Sequence, residues 1–99
     1  MLGSEFARIT SFKLSPKRDE KLTTEGLRVV AAVREEPGCL HFDIYRAPDK
    51  TQFFVHEVWA TKEAFDRHNQ SQIAARLRSL LHRYASNEVQ QWDLELVAA

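Results

Sequence analysis

Two runs rich in aromatic and β-branched residues, Cys39 to Arg46 and Gln52 to Trp59, flank Ala47-Pro48-Asp49-Lys50-Thr51, and this arrangement constrains the fold more than any other feature of the chain. Such runs favour extended backbone and the residues between them favour a turn, so the segment predicts a β-hairpin. Side chains alternate along a strand, which puts Leu40, Phe42 and Ile44 on one face of the first run and Cys39, His41, Asp43 and Tyr45 on the other. Both faces carry aromatics. A sheet with one wet face keeps that face polar, so the second face is expected to meet another subunit or a ligand.

The rest of the chain supplies partners for this hairpin. Ala7 to Leu14 reads as a strand carrying Ile9 and, after a change of phase, Phe12 and Leu14, and Ser15-Pro16 then offers an N-cap and a first-turn proline. From Lys17 to Glu36, Leu22, Gly26, Val29, Val30 and Val33 recur at helical spacing, with Arg28, Arg34 and Glu35 left for solvent and Pro37-Gly38 as the stop. Thr61 caps a short helix from Lys62 to about Asn69, and Ser71 caps a second one built on Ile73, Leu77, Leu80, Leu81 and Tyr84. Glu88 to Val97 alternates Trp92, Leu94 and Leu96 against Gln91, Asp93 and Glu95, the pattern of a half-buried strand. The order βαββααβ predicts a ferredoxin-like α+β fold: one four-stranded antiparallel sheet with helices on one face. A single domain over residues 7–97 accounts for it. Residues 1–6 are set aside, because Gly3-Ser4-Glu5-Phe6 is what two adjacent cloning sites translate to and the opening lacks the regions of a signal peptide.

Composition narrows the function. Lys plus Arg and Asp plus Glu number 14 each, so no net field draws the chain to nucleic acid, an anionic membrane or a polyanion. The longest aliphatic run, Val29 to Val33, is far too short to span a bilayer. The single Cys39 excludes an internal disulfide and a cysteine-based zinc site, and its place after a helix C-terminus argues against a nucleophile. A reducing, cytoplasmic setting is the expectation. A chain of 99 residues buries only about 60–68% of its unfolded surface, so it gains from a partner.

Four local patterns carry a family resemblance. Glu35-Glu36-Pro37-Gly38-Cys39-Leu40, then Phe42-Asp43-Ile44-Tyr45-Arg46, then Glu57-Val58-Trp59, then Ala64-Phe65-Asp66-Arg67-His68 fall in the order and spacing of the antibiotic biosynthesis monooxygenase-like domains, members of the dimeric α+β barrel superfamily. The chain resembles that family over residues 7–97. The resemblance implies a homodimer in which two sheets share a barrel, and a cofactor-free oxidation of a small quinol or polycyclic phenol by O2. Two departures matter. After His68 the chain reads Asn69-Gln70-Ser71, without the second histidine of many relatives, and Thr10 stands where haem-degrading relatives have an asparagine.

Without a cofactor the substrate itself gives an electron to oxygen, which requires loss of a proton to leave a delocalised anion. An apolar pocket and a base suffice. His68 is the candidate base, since its ordinary pKa lies near neutral. Tyr45, Trp59 and Phe65 are the candidate pocket residues, with the Trp59 indole N–H aimed at a quinone oxygen, and Glu57 is taken as a structural anchor. His41 and His56 lie on neighbouring strands but lack a third ligand, so no metal site is expected. Arg76, Arg78 and Arg83, interleaved with Leu77, Leu80 and Leu81, read as a solvated helix face, with Arg78 or Arg83 reaching a substrate anion as the minority option. Two other readings stay open: an isomerase or detoxification enzyme that uses the same base without O2, and a non-catalytic dimeric ligand-binding or stress-response domain.

Overall fold

The computed structural model describes residues 5–14, 16–49, 51–86 and 88–98. Its elements run β1 (Phe6–Lys13), α1 (Pro16–Arg34), β2 (Cys39–Arg46), β3 (Gln52–Trp59), α2 (Lys62–Asn69), α3 (Gln72–Tyr84) and β4 (Gln90–Glu95). The strands form one antiparallel sheet in the order β2-β3-β1-β4, the ferredoxin-like arrangement that the element order predicts. The expected Ser15 cap and the place of the Leu22 side chain in the α1 stripe lie outside the described residues. Among the described residues no helix is long and apolar enough to cross a membrane.

Local chemistry sets most of the boundaries. In the hairpin turn, Asp49 Oδ1 accepts from the backbone N–H groups of Thr51 and Gln52 at 2.9 and 3.3 Å, and these bonds hold its carboxyl below the usual range. Thr61 and Ser71 cap α2 and α3, accepting from the Ala64 and Ala74 N–H groups at 3.1 Å each. Ser71 also explains a helix break that neither glycine nor proline marks: its hydroxyl donates to the His68 carbonyl at 2.6 Å, while its own extended backbone ends the preceding turn. Gly38, with φ of +84°, carries the chain from α1 into β2, and a Cβ there would stand 2.6 Å from that of Ala64.

The two sheet faces differ from the sequence reading in three places. The first strand keeps one phase throughout, so Arg8, Thr10 and Phe12 face the helices while Ile9 faces away, and two apolar sets on opposite faces had looked like a phase change. It also begins at Phe6, which pairs with Trp59 and packs on Phe65 at 4.4 Å between ring centroids. In β2 a bulge falls between Cys39 and His41, so Cys39 lies opposite Trp59 and packs against the core, whereas Leu40 is 47% exposed instead of joining Phe42. Burial pushes the Cys39 thiol up, and the charges of Glu36 and Glu57 add to the effect. In β4, finally, Trp92 and Leu94 pair with Ile9 and Ala7 on the face away from the helices and are 48% and 41% exposed, so the strand is not half-buried in the isolated chain.

The core lies between the sheet and the helices. Val29, Val30 and Val33 of α1, Phe65 of α2 and Leu80 of α3 meet Phe12, Phe42, Phe53, Val55 and Trp59. Gly26 is buried in the same α1 stripe, but a Cβ on it would have no atom within 4 Å. The two glycines therefore predict opposite effects. Gly38→Ala should lower unfolding stability by about 2–4 kcal/mol through left-handed strain and the clash with Ala64, whereas Gly26→Ala should raise it by about 0.5–1 kcal/mol, both measured by urea denaturation.

Candidate active site

Strand register builds the floor of the site before any helix is added. Arg8, Glu57 and Phe42 lie abreast across β1, β3 and β2, the next row is Thr10, Val55 and Ile44, and the third is Phe12, Phe53 and Arg46. All nine line one cavity of about 680 Å³, roofed by α1, α3 and the end of α2. The first row holds charge, the third mostly aromatic surface.

The charged row is organised around His68, on the last turn of α2, where Phe65 one helical turn earlier faces the same cavity. His68 is only 5% exposed. Its Nδ1 lies 2.7 Å from Glu36 Oε2 in the turn after α1, and its ring stacks on Trp59 at 4.6 Å and meets the edge of Phe42 at 6.0 Å. An ionised carboxylate only accepts hydrogen bonds, so the contact places a proton on Nδ1 and leaves Nε2 as the nitrogen able to take another. This is the orientation a general base needs.

Trp59 is fully buried and stands behind the wall rather than in it. Its indole N–H donates to Glu57 Oε1 at 2.9 Å, a geometry that follows from their i, i+2 spacing on one strand face. The indole N–H is thereby occupied within the protein. Glu57 in turn is buried yet lines the cavity, and desolvation pushes its carboxyl up against the lowering effects of the Trp59 hydrogen bond, His68 and Arg8. An anchor in the sequence reading, it is here also a titratable group in the cavity wall. Arg8 completes the row: it pairs with Asp93 at 2.6 Å, which holds the Asp93 carboxyl down, and its guanidinium sits 4.5 Å from the centre of the Phe65 ring.

Tyr45 is placed differently from the other candidates. On the edge strand β2 and 57% exposed, it borders both the cavity and a shallow hollow on the open sheet face with Ile9, Phe54 and His56. His41 and His56 are turned to that open face, opposite Val58 and Asp43, and among the described residues no group of three or more His, Cys, Asp or Glu side chains is placed to hold a metal ion. Arg78 lines the cavity and donates to the Asn69 carbonyl at 3.1 Å, while Arg83 lies near the Tyr84 ring. Glu36 and Arg8 carry no local signal for these roles: their partners are 32 and 85 residues away.

Comparison with known proteins gives a consistent result. Residues 6–79 match the antibiotic biosynthesis monooxygenase family. No curated protein matches the chain. Among solved structures, Rv0793 of Mycobacterium tuberculosis is similar at 22% identity with a TM-score of 0.88, covering 97% of this chain and 98% of that one. PA3566 of Pseudomonas aeruginosa is similar at 25% identity and a TM-score of 0.82, covering 99% of each. A structure described as an antibiotic biosynthesis monooxygenase is similar at 20% identity and 0.84, covering 94% of this chain and 99% of that one. The match spans most of the strands and helices that build the cavity, and the chain belongs to the antibiotic biosynthesis monooxygenase family.

Proposed function

We propose that this chain is a cofactor-independent monooxygenase that oxidises a small quinol or polycyclic phenol with O2. The observation that carries the reading is His68, buried in the wall of an apolar cavity with Nδ1 tied to Glu36 and Nε2 left as the proton acceptor. A substrate hydroxyl gives its proton to Nε2, and Glu36 stabilises the imidazolium that forms. The resulting anion gives an electron to O2, the two radicals join as a peroxide at a ring carbon, and the proton returned by His68 completes a hydroperoxide; cleavage of its O–O bond with loss of the hydrogen on that carbon releases water and leaves a carbonyl, the substrate having supplied all four electrons. Phe65 and Phe42 supply flat surface to the ring, and Trp59 sets the plane of His68 by stacking behind it.

A second reading has its own support. His68 and the raised Glu57 carboxyl face one cavity from different elements, as a base and an acid would for proton transfer next to a carbonyl, which is isomerase chemistry without O2. Oxygen uptake separates the two.

The working unit is proposed to be a homodimer joined through the open sheet face. There Ile9, Phe54 and His56 edge a hollow beside Trp92 and Leu94, apolar surface that an isolated antiparallel sheet would leave wet.

Three outcomes are expected. Metal-stripped protein given naphthoquinols or anthrones should take up O2 above autoxidation; His68→Ala should lose about 10²- to 10⁴-fold of that rate and Glu36→Gln about tenfold or more. Uptake unchanged in His68→Ala would remove its role as base. For Glu57, the sign follows from a folded-state pKa above the unfolded one: the folded protein binds the proton more readily, so this group's contribution to stability falls as pH rises through that folded pKa. Glu57→Gln keeps an acceptor for Trp59, so its denaturation midpoint should exceed that of the parent near neutral pH and converge with it in acid. Light scattering at micromolar concentration should give twice the mass of the chain, and a single-chain mass would end the dimer proposal.

A further inference from the structure

The cavity has its buried ionisable groups at one end, and it extends along the strands. At one end stand Arg8, Glu57 and His68; six residues past Arg8 and just beyond the end of β1, about 20 Å at strand rise, stands Leu14. α3 follows the same direction. It starts at the Ser71 cap beside His68 and ends where Leu14 bridges Ala85, so Leu77, Leu80 and Leu81 line progressively more distant parts of the roof. Beyond the Phe12–Phe53 pair, stacked at 5.6 Å, the buried lining is aliphatic, with Arg46 and Thr23 bordering it from exposed positions. α1 opens space over this distal part. Arg34 Nε donates to the Phe42 carbonyl at 3.0 Å, which fixes the C-terminal end of α1 at the level of the polar row. Gly26 lies eight residues earlier, about 12 Å along the helix, and a Cβ there would enter open space. A helix-interior glycine is destabilising by itself, and here its absent side chain leaves room in the cavity away from the charged groups.

We infer that the natural substrate is amphipathic and elongated, a phenolic head carrying an aliphatic tail, with the head at His68 and Glu57 and the tail laid between Gly26 and Leu77 towards Leu80 and Leu81. The head assignment rests on the proposed reading; the tail rests on the lining of the distal cavity. A compact ring system held by the polar end would leave the aliphatic end unfilled.

Calorimetric titration with 4-n-alkylphenols from methyl to octyl, alongside 2-naphthol, tests the inference without turnover. Affinity should rise about two- to fourfold per methylene over the first several carbons and then level off as the tail fills the cavity. Gly26→Leu, which favours the helix and fills the open space, should bring the plateau forward to the short members and leave 4-methylphenol binding unchanged. Naphthol bound as tightly as the long phenols, or a length dependence that Gly26→Leu does not alter, would overturn the tail. If the tailed phenols bind as expected and neither naphthoquinols nor anthrones are oxidised above autoxidation, the tail stands and the oxygenase reading falls; if compact naphthoquinols turn over while tails add no affinity, the reverse holds. No binding of any phenol overturns the tail.

Discussion

Everything in this molecule depends on the pairing of β1 with β3. Eight consecutive residue pairs, Phe6 with Trp59 through Lys13 with Gln52, fix which side chains stand on which face. Because the side-chain period is two, a one-residue slip would turn Arg8, Thr10 and Phe12 outward and bring Ala7, Ile9 and Ser11 under the helices. The charged row, the cavity floor and the apolar open face would be lost together. The register is pinned chemically as well as by hydrophobic pattern. Phe12 stacks on Phe53, Gln52 donates to the Ser11 hydroxyl across the pair, and the bidentate Arg8–Asp93 contact ties β4 to the same frame.

Within that frame, the buried Glu57, Trp59 and His68 and the half-buried Glu36 form one connected array. The Glu36 carboxylate accepts from His68, whose ring lies on Trp59, and Trp59 donates to Glu57. Burying a carboxylate, an imidazole and an indole N–H is costly unless each finds a partner, and among the described residues no buried side-chain nitrogen or oxygen lacks one. A purely apolar packing of the same volume would be easier to stabilise. The array places buried hydrogen-bonding groups at one end of a space whose other buried walls are mainly phenylalanine, leucine and valine. That is the environment in which a proton acceptor and a developing anion are held in place without bulk water.

How much of this was legible in the sequence tracks how local each determinant is. The hairpin, both helix caps and the α3 stripe rest on side chain to backbone contacts within a few residues or on simple periodicity, and the Thr61 and Ser71 boundaries emerge where their capping chemistry predicts. His68, Phe65 and Glu57 do come together in one cavity, as Trp59 does with His68. What the sequence could not convey is non-local. Leu40 leaves the face of Phe42 because one extra residue is accommodated opposite β3, a bulge with no compositional mark beyond the preceding Pro37-Gly38. Glu36 looks like half of an acidic pair before a turn until the fold places α2 across from it. The single phase of β1 was hidden because the strand is apolar on both faces, so alternation alone cannot say which set is the core.

The two faces divide the work of so small a chain. The helix-covered face spends part of its core on a cavity, leaving Gly26 without a side chain and burying charged residues where aliphatic ones would pack. A domain of this size has little interior to give up. The open face offers the compensation: Trp92 and Leu94 beside Ile9 present apolar surface that a second copy would remove from water at roughly 25 cal/mol per Å². Since β1 and β3 contribute side chains to both faces, a partner stiffening the sheet from outside would hold Arg8 and Glu57 in register within. In that arrangement the proposed assembly supports the cavity without adding a residue to it, and the position of Tyr45, bordering both surfaces, is where the two would meet.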